Sequence, residues 1–185
     1  GALHSLRSLR RGLPRALGIR IMRIILTLLI LLLSASSAMS QESTKQTFRP
    51  LPIESQQHLD RQRAYVATLV ETYMPGQKLA KTKADFAIIQ KVIDLKIIPK
   101  SNAWELQSLG VVFGDALAST VPGLAWSEVT DEYGTDPTLR YKQTSVQINV
   151  LTMISKRVED GESVDISHMA LWLQDFIKNK ASEYR

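Results

Sequence analysis

The chain has 185 residues, no cysteine and a formal net charge of +5. The lack of cysteine excludes disulfides, thiolate metal sites and lipid attachment at a signal-peptide cysteine. The positive charge does not argue for nucleic acid. Six of the 23 Lys+Arg and none of the 18 Asp+Glu fall in residues 1–40, leaving 17 basic against 18 acidic residues and a net of −1. A nucleic-acid surface needs its basic patch on the folded domain.

Arg23 precedes the apolar run Ile24 to Leu33, which ends in small residues and an Ala38-x-Ser40 site. This is the layout of a secretory signal peptide. We expect residues 1–40 to be the leader, with translation starting at Met22, cleavage after Ser40 and a periplasmic or secreted product. The alternative is an inner-membrane signal anchor, but the run is half the length of about twenty residues that a spanning helix needs. No stable membrane span is therefore expected after cleavage.

Residues 41–52 are polar, with Pro50 and Pro52 near the end, and read as a flexible linker. A single domain is expected over 53–185. Leu59, Val66, Leu69, Val70 and Tyr73 recur at helical spacing until Pro75-Gly76 stops them. Thr82 to Asp85 resembles a capping start, with Asp85 meeting free N–H groups of a second helix along Phe86, Ile89, Val92 and Ile93. Asn102 and Glu105 form a second capping pattern. The third helix runs to about Thr120, with Trp104, Leu109, Val112, Phe113, Ala116 and Leu117 inward.

The period then changes. Leu124 to Thr130 is rich in β-formers, Asp131 to Pro137 carries turn signals, and Thr138 to Tyr141 is a short strand. Val146, Ile148 and Val150 alternate with polar residues as a third strand does. Leu151, Ile154 and Val158 return to helical spacing, and Gly161 stops that helix. Ser167 caps a last helix facing inward with Met169, Leu173, Phe176 and Ile177. The expected class is α+β: N-terminal helices, a small antiparallel sheet of about three strands, and C-terminal helices packed on one sheet face.

Few motifs carry chemistry. Gly110 and Gly114 lie one helical turn apart, and each costs about 1 kcal/mol relative to alanine inside a helix. Close approach of another backbone is the favoured compensation, and a groove open to a ligand is the alternative. Asp131 and Glu132 are adjacent at a strand end, so they point to opposite faces and suit a turn better than a paired acid/base site. Glu159 to Glu162 lacks the alternating acids of a calcium loop. Lys156-Arg157 complements the end of a helix, and Arg157 could also hold an anion. His58 and His168 stand alone, so no zinc site and no other cofactor is expected. There is no G-x-S-x-G elbow, no G-x-G-x-x-G and no phosphate loop.

The succession Leu109-Gly110-x-x-x-Gly114-Asp115, Trp126, Asp131-Glu132-Tyr133-Gly134 and Lys156-Arg157-Val158-x-x-Gly161 resembles the bacterial family called domain of unknown function 3806. The resemblance covers about Ala103 to Ile166. It implies a compact α+β domain in an often exported protein, and it supplies no activity. Comparable layouts in some toxin-immunity proteins are an analogy of fold. Two functions follow as expectations. The first is a periplasmic binding module for an envelope protein or component, with Asp115, Trp126, Asp131, Lys156 and Arg157 as binding candidates. The alternatives are a carboxylate-dependent envelope enzyme, in which Asp115, Asp131 and Arg157 must converge, or an immunity-like protein. An enzyme is the less favoured reading, and no catalytic residue is assigned.

Overall fold

A four-stranded sheet and four helices are arranged about one central helix. The computed structural model describes residues 46–183. The leader and the first residues of the expected linker lie outside them. In chain order the elements are β1 (Thr47–Arg49), α1 (Ile53–Tyr73), α2 (Asp85–Asp94), α3 (Ala103–Thr120), β2 (Leu124–Asp131), β3 (Gly134–Tyr141), β4 (Gln147–Ile148), a 3₁₀ turn (Val150–Thr152), α4 (Met153–Glu159) and α5 (Ile166–Ser182). The class is α+β.

α3 is the hub. It touches α1, α2, the 3₁₀ turn, α4, α5 and β2. Leu106, Leu109, Val111, Phe113, Ala116 and Leu117 are all buried. A helix that is apolar on nearly every side belongs inside the protein. α1 and α2 are one-sided by contrast: α1 buries Leu59, Val66, Leu69 and Val70, while α2 buries Phe86, Ile88, Ile89 and Val92.

The strands form one antiparallel sheet in the order β1-β2-β3-β4. Leu124, Leu139 and Ile148 join the core, and Trp126 and Tyr141 pack against it. The sheet has one strand more than expected. Thr47–Arg49, read as part of a flexible linker, pairs with Thr130, Val129 and Glu128. Three contacts fix it there: an Arg49–Glu128 ion pair, Ser127 Oγ donating to the Arg49 carbonyl at 2.8 Å, and Arg140 lying 4.1 Å over the Phe48 ring. All of them join residues far apart in sequence.

The turn between β2 and β3 is tighter than its composition suggests. Asp131 pairs with Gly134, leaving Glu132 and Tyr133 as the loop, and Gly134 takes φ +134°. Asp136 and Pro137 are therefore strand residues. β4 pairs only with Leu139 and Arg140, so at Pro137 strand β3 has a neighbour on one side, the setting in which a strand tolerates proline. The expected third strand shrinks to two residues, and Val150 enters the 3₁₀ turn.

Three caps also differ from expectation. The buried Asp85 carboxylate turns backwards and accepts from the backbone N–H groups of Ala80 (3.0 Å) and Lys81 (2.8 Å), tying down the loop before α2. Asn102 stands at the N-cap of α3 without a side-chain capping bond. Asp165, two residues before Ser167, caps α5 by accepting from His168 N. Trp104 is 41% exposed and lies edge-on to Tyr65 with ring centroids 5.4 Å apart. It sits in the first turn of α3, before that helix enters the core.

Candidate functional site

The motif residues of α3 meet the 3₁₀ turn and β2. A Cβ built on Gly110 would lie 2.6 Å from the carbonyl oxygens of both Val150 and Leu151. One built on Gly114 would lie 2.7 Å from Cζ2 of Trp126 and 2.8 Å from Cγ2 of Val150. The glycine spacing thus serves close packing, and both positions are buried. One residue on, Asp115 receives three charge-assisted or polar bonds. Arg63 Nε and Nη2 bind its two oxygens at 2.6 and 2.8 Å, and Trp126 Nε1 donates to Oδ1 at 2.8 Å.

This bidentate pair is mostly shielded, with side-chain exposures of 20% for Arg63 and 7% for Asp115. The hydrogen bond to Asp115 is the largest cause raising the Arg63 pKa further above its usual value. Asp60 Oδ1 accepts a third bond from Arg63, from Nη1 at 2.8 Å. The Asp115 carboxylate is therefore a clamp joining α1, α3 and β2. A fork of this kind is strong and directional, and it leaves little free carboxylate for chemistry.

The other candidates stand elsewhere. Asp131 Oδ1 accepts from Tyr133 N at 2.9 Å inside the β2–β3 hairpin. Lys156 is exposed on α4. Arg157 Nη1 donates to the Met153 carbonyl at 2.7 Å. Gly161 ends α4 with φ +75°, and Glu162 N closes the turn on the Arg157 carbonyl at 2.8 Å. Asp115 and Trp126 are thus brought together, whereas Asp131 and Arg157 share no bonding partner with Asp115. Arg157 does border a shallow cavity of about 390 Å³ with Met153, Asp165, His168 and Trp172.

A different opening is lined by none of the five binding candidates. It is a cleft of about 470 Å³ between the end of α2, the start of α3 and the end of α4. Val92, Leu106, Leu109 and Val158 give it apolar walls, and Lys96, Lys100 and Glu162 stand on its rim. The volume lies within the roughly 300–1,000 Å³ of small-molecule sites. Among the described residues no group of three or more His, Asp or Glu side chains could hold a metal ion. None of the described helices is long and apolar enough to cross a membrane.

The profile of the family described as "Domain of unknown function (DUF3806)" matches residues 85–169. The match covers 85 of the 185 residues. The DUF3806 span runs from α2 into α5 and includes both the glycine seam and the cleft. A solved structure from Bacteroides thetaiotaomicron VPI-5482 is similar to this chain with a TM-score of 0.65 and 19% identity, over 74% of this chain and 50% of that one. The chain thus spans half the length of that protein, and at this identity the likeness is one of fold. No curated protein matches the chain.

Within the matched span the motif residues explain architecture first. Gly110 and Gly114 seat the 3₁₀ turn, Asp115 and Trp126 lock β2 to α3, Asp131 closes the hairpin, and Gly161 ends α4. Arg63 and the Arg49–Glu128–Ser55 group were not legible beforehand. Glu128 is buried, and Ser55 Oγ donates to it at 3.0 Å. Alternating apolar and polar residues give no hint that a strand glutamate will turn inward to meet an N-terminal arginine.

Proposed function

We propose that the protein is an exported binding module whose ligand seat is the cleft between α2, α3 and α4. The observation that carries this reading is the cleft itself. Leu106 and Leu109, buried core residues of the hub helix, form the floor of an opening about 470 Å³ in volume. The leader motif supports export. The Asp115 clamp counts against the carboxylate enzyme, because the most shielded of its three groups is already consumed by Arg63 and Trp126.

Nuclear magnetic resonance with decanol as an apolar probe tests the seat. Shifts should cluster at Val92, Leu106, Leu109 and Val158 and vanish in Ile93→Trp, which fills the cleft from a half-buried wall position. Shifts scattered over the surface would defeat the reading. N-terminal sequencing of the protein from a periplasmic extract tests export: a chain beginning at Gln41 supports it, and a chain retained in the cytoplasm with residues 23–40 intact opposes it.

An envelope protein is the second partner class, favoured by one surface. Leu171 and Trp172 on α5 are 61% and 55% exposed, and Trp172 stacks on Phe176 at 5.6 Å. Large exposed apolar side chains of this kind suit protein contact. A photocrosslinking residue at 171 should then trap a discrete envelope protein that the same residue at 133, on the β2–β3 hairpin, does not.

A further inference from the structure

We infer that the cleft binds an aliphatic chain ending in a carboxylate. This rests on the cleft being the ligand seat, and it adds the chemistry of the ligand. The walls call for a hydrocarbon, because Ile93, Pro99 and Val158 present apolar surface over the buried Val92, Leu106 and Leu109, with no buried polar side chain among them. The rim calls for one negative charge. Lys96 and Lys100 supply two ammonium groups, and Glu162 is the single acid of the lining. Neither lysine is ion-paired with a carboxylate among the described residues.

The backbone at Lys96 fixes where one of the two cations stands. Lys96 follows the last turn of α2 with φ +51°, a left-handed position that favours glycine. Two bonds hold it there: Lys96 N to the Ile93 carbonyl at 2.9 Å and Ile97 N to the Val92 carbonyl at 3.4 Å. Lys81 and Lys142 take the same left-handed backbone away from the cleft, so at Lys96 this geometry sets where the cation stands and the lining itself carries the assignment. A monoanion matches the rim. Recognition of a phosphate dianion more often draws on the arginine fork or on clustered backbone N–H groups, and no arginine lines this cleft.

Calorimetric titration of the purified protein with decanoate, decanol, decyltrimethylammonium and decyl phosphate, all below their micelle concentrations, tests the assignment. Decanoate should bind about tenfold more tightly than decanol, and decyltrimethylammonium more weakly than either. Lys96→Gln and Lys100→Gln should each weaken decanoate about threefold and leave decanol unchanged. Glu162→Gln should strengthen decanoate. High salt should erase the preference for decanoate over decanol, because the rim charges are exposed. Equal affinity for decanoate and decanol overturns the anion while leaving the seat in place. Tighter binding of decyl phosphate than of decanoate overturns the carboxylate. Failure of all four, or binding indifferent to Ile93→Trp, overturns the seat as well.

Discussion

Gly110→Ala is the most direct test of how this domain is assembled. The added carbon would sit 2.6 Å from two main-chain carbonyl oxygens, where ordinary contact begins at 3.4 Å. The 3₁₀ turn and α3 must therefore separate by about 0.8 Å (3.4 against 2.6 Å). Side-chain rotation cannot relieve a clash with backbone. A gap of that size forfeits roughly a quarter to a half of the dispersion energy across a seam, and Leu109, Phe113 and Val150 along this one are fully buried. Overpacking of this kind costs about 3 kcal/mol, and alanine returns about 1 kcal/mol of helix propensity. The net loss should be about 2 kcal/mol, or roughly 6–10 °C in Tm, measured by urea and thermal unfolding followed by circular dichroism. A neutral or stabilised variant would show that the seam yields freely and would refute the reasoning. Gly114→Ala meets side chains instead, so it should cost less, and its cost should shrink in a Trp126→Phe background that lacks the obstructing Cζ2 and Cη2 atoms. Gly114→Leu should unfold the protein.

Asp115→Ala leaves a half-buried guanidinium and an indole N–H without their acceptor, and should destabilise by about 2–4 kcal/mol. In a double-mutant cycle with Arg63→Met the two losses should be far from additive, whereas additive losses would deny the clamp. Asp85→Ala should cost about 2 kcal/mol and speed hydrogen exchange at Ala80 and Lys81, with unchanged exchange there counting against its role. The Tyr65 hydroxyl is pushed above its ordinary pKa of 10.0, first by burial and then by its hydrogen bond to Glu105. The folded protein then keeps a proton that the unfolded chain releases above about pH 10, so this contribution is complete below pH 10 and falls as pH rises further. Urea unfolding at pH 9 and pH 10.5 should show the decline, and Tyr65→Phe should flatten it.

The helices of this protein were readable because each carries its own period. Val92 follows Ile89 and Phe86 on one face of α2, and Leu109, Val112, Phe113, Ala116 and Leu117 mark an inward face of α3, whose place as the hub shows only in the tertiary structure. The function of the glycine pair was readable too, since a helix rarely accepts two glycines without a close neighbour. Capping was harder. Asp85 has the sequence of a helix cap, yet a carboxylate beside a turn can serve either direction, and only the position of Ala80 and Lys81 made it face backwards.

What the tertiary structure decided is a set of meetings across long stretches of chain. Thr47–Arg49 is a strand because β2 offers it an edge. Asp115 is a clamp because Arg63, 52 residues earlier, arrives on the neighbouring helix. The cleft exists because the ends of α2 and α4 and the start of α3 leave a space above the buried Leu106 and Leu109, and its lysines become a rim only through that arrangement. Local periodicity records which face of a segment prefers the interior. Which neighbour arrives there, and what space it leaves open, depends on packing between elements that share no sequence pattern.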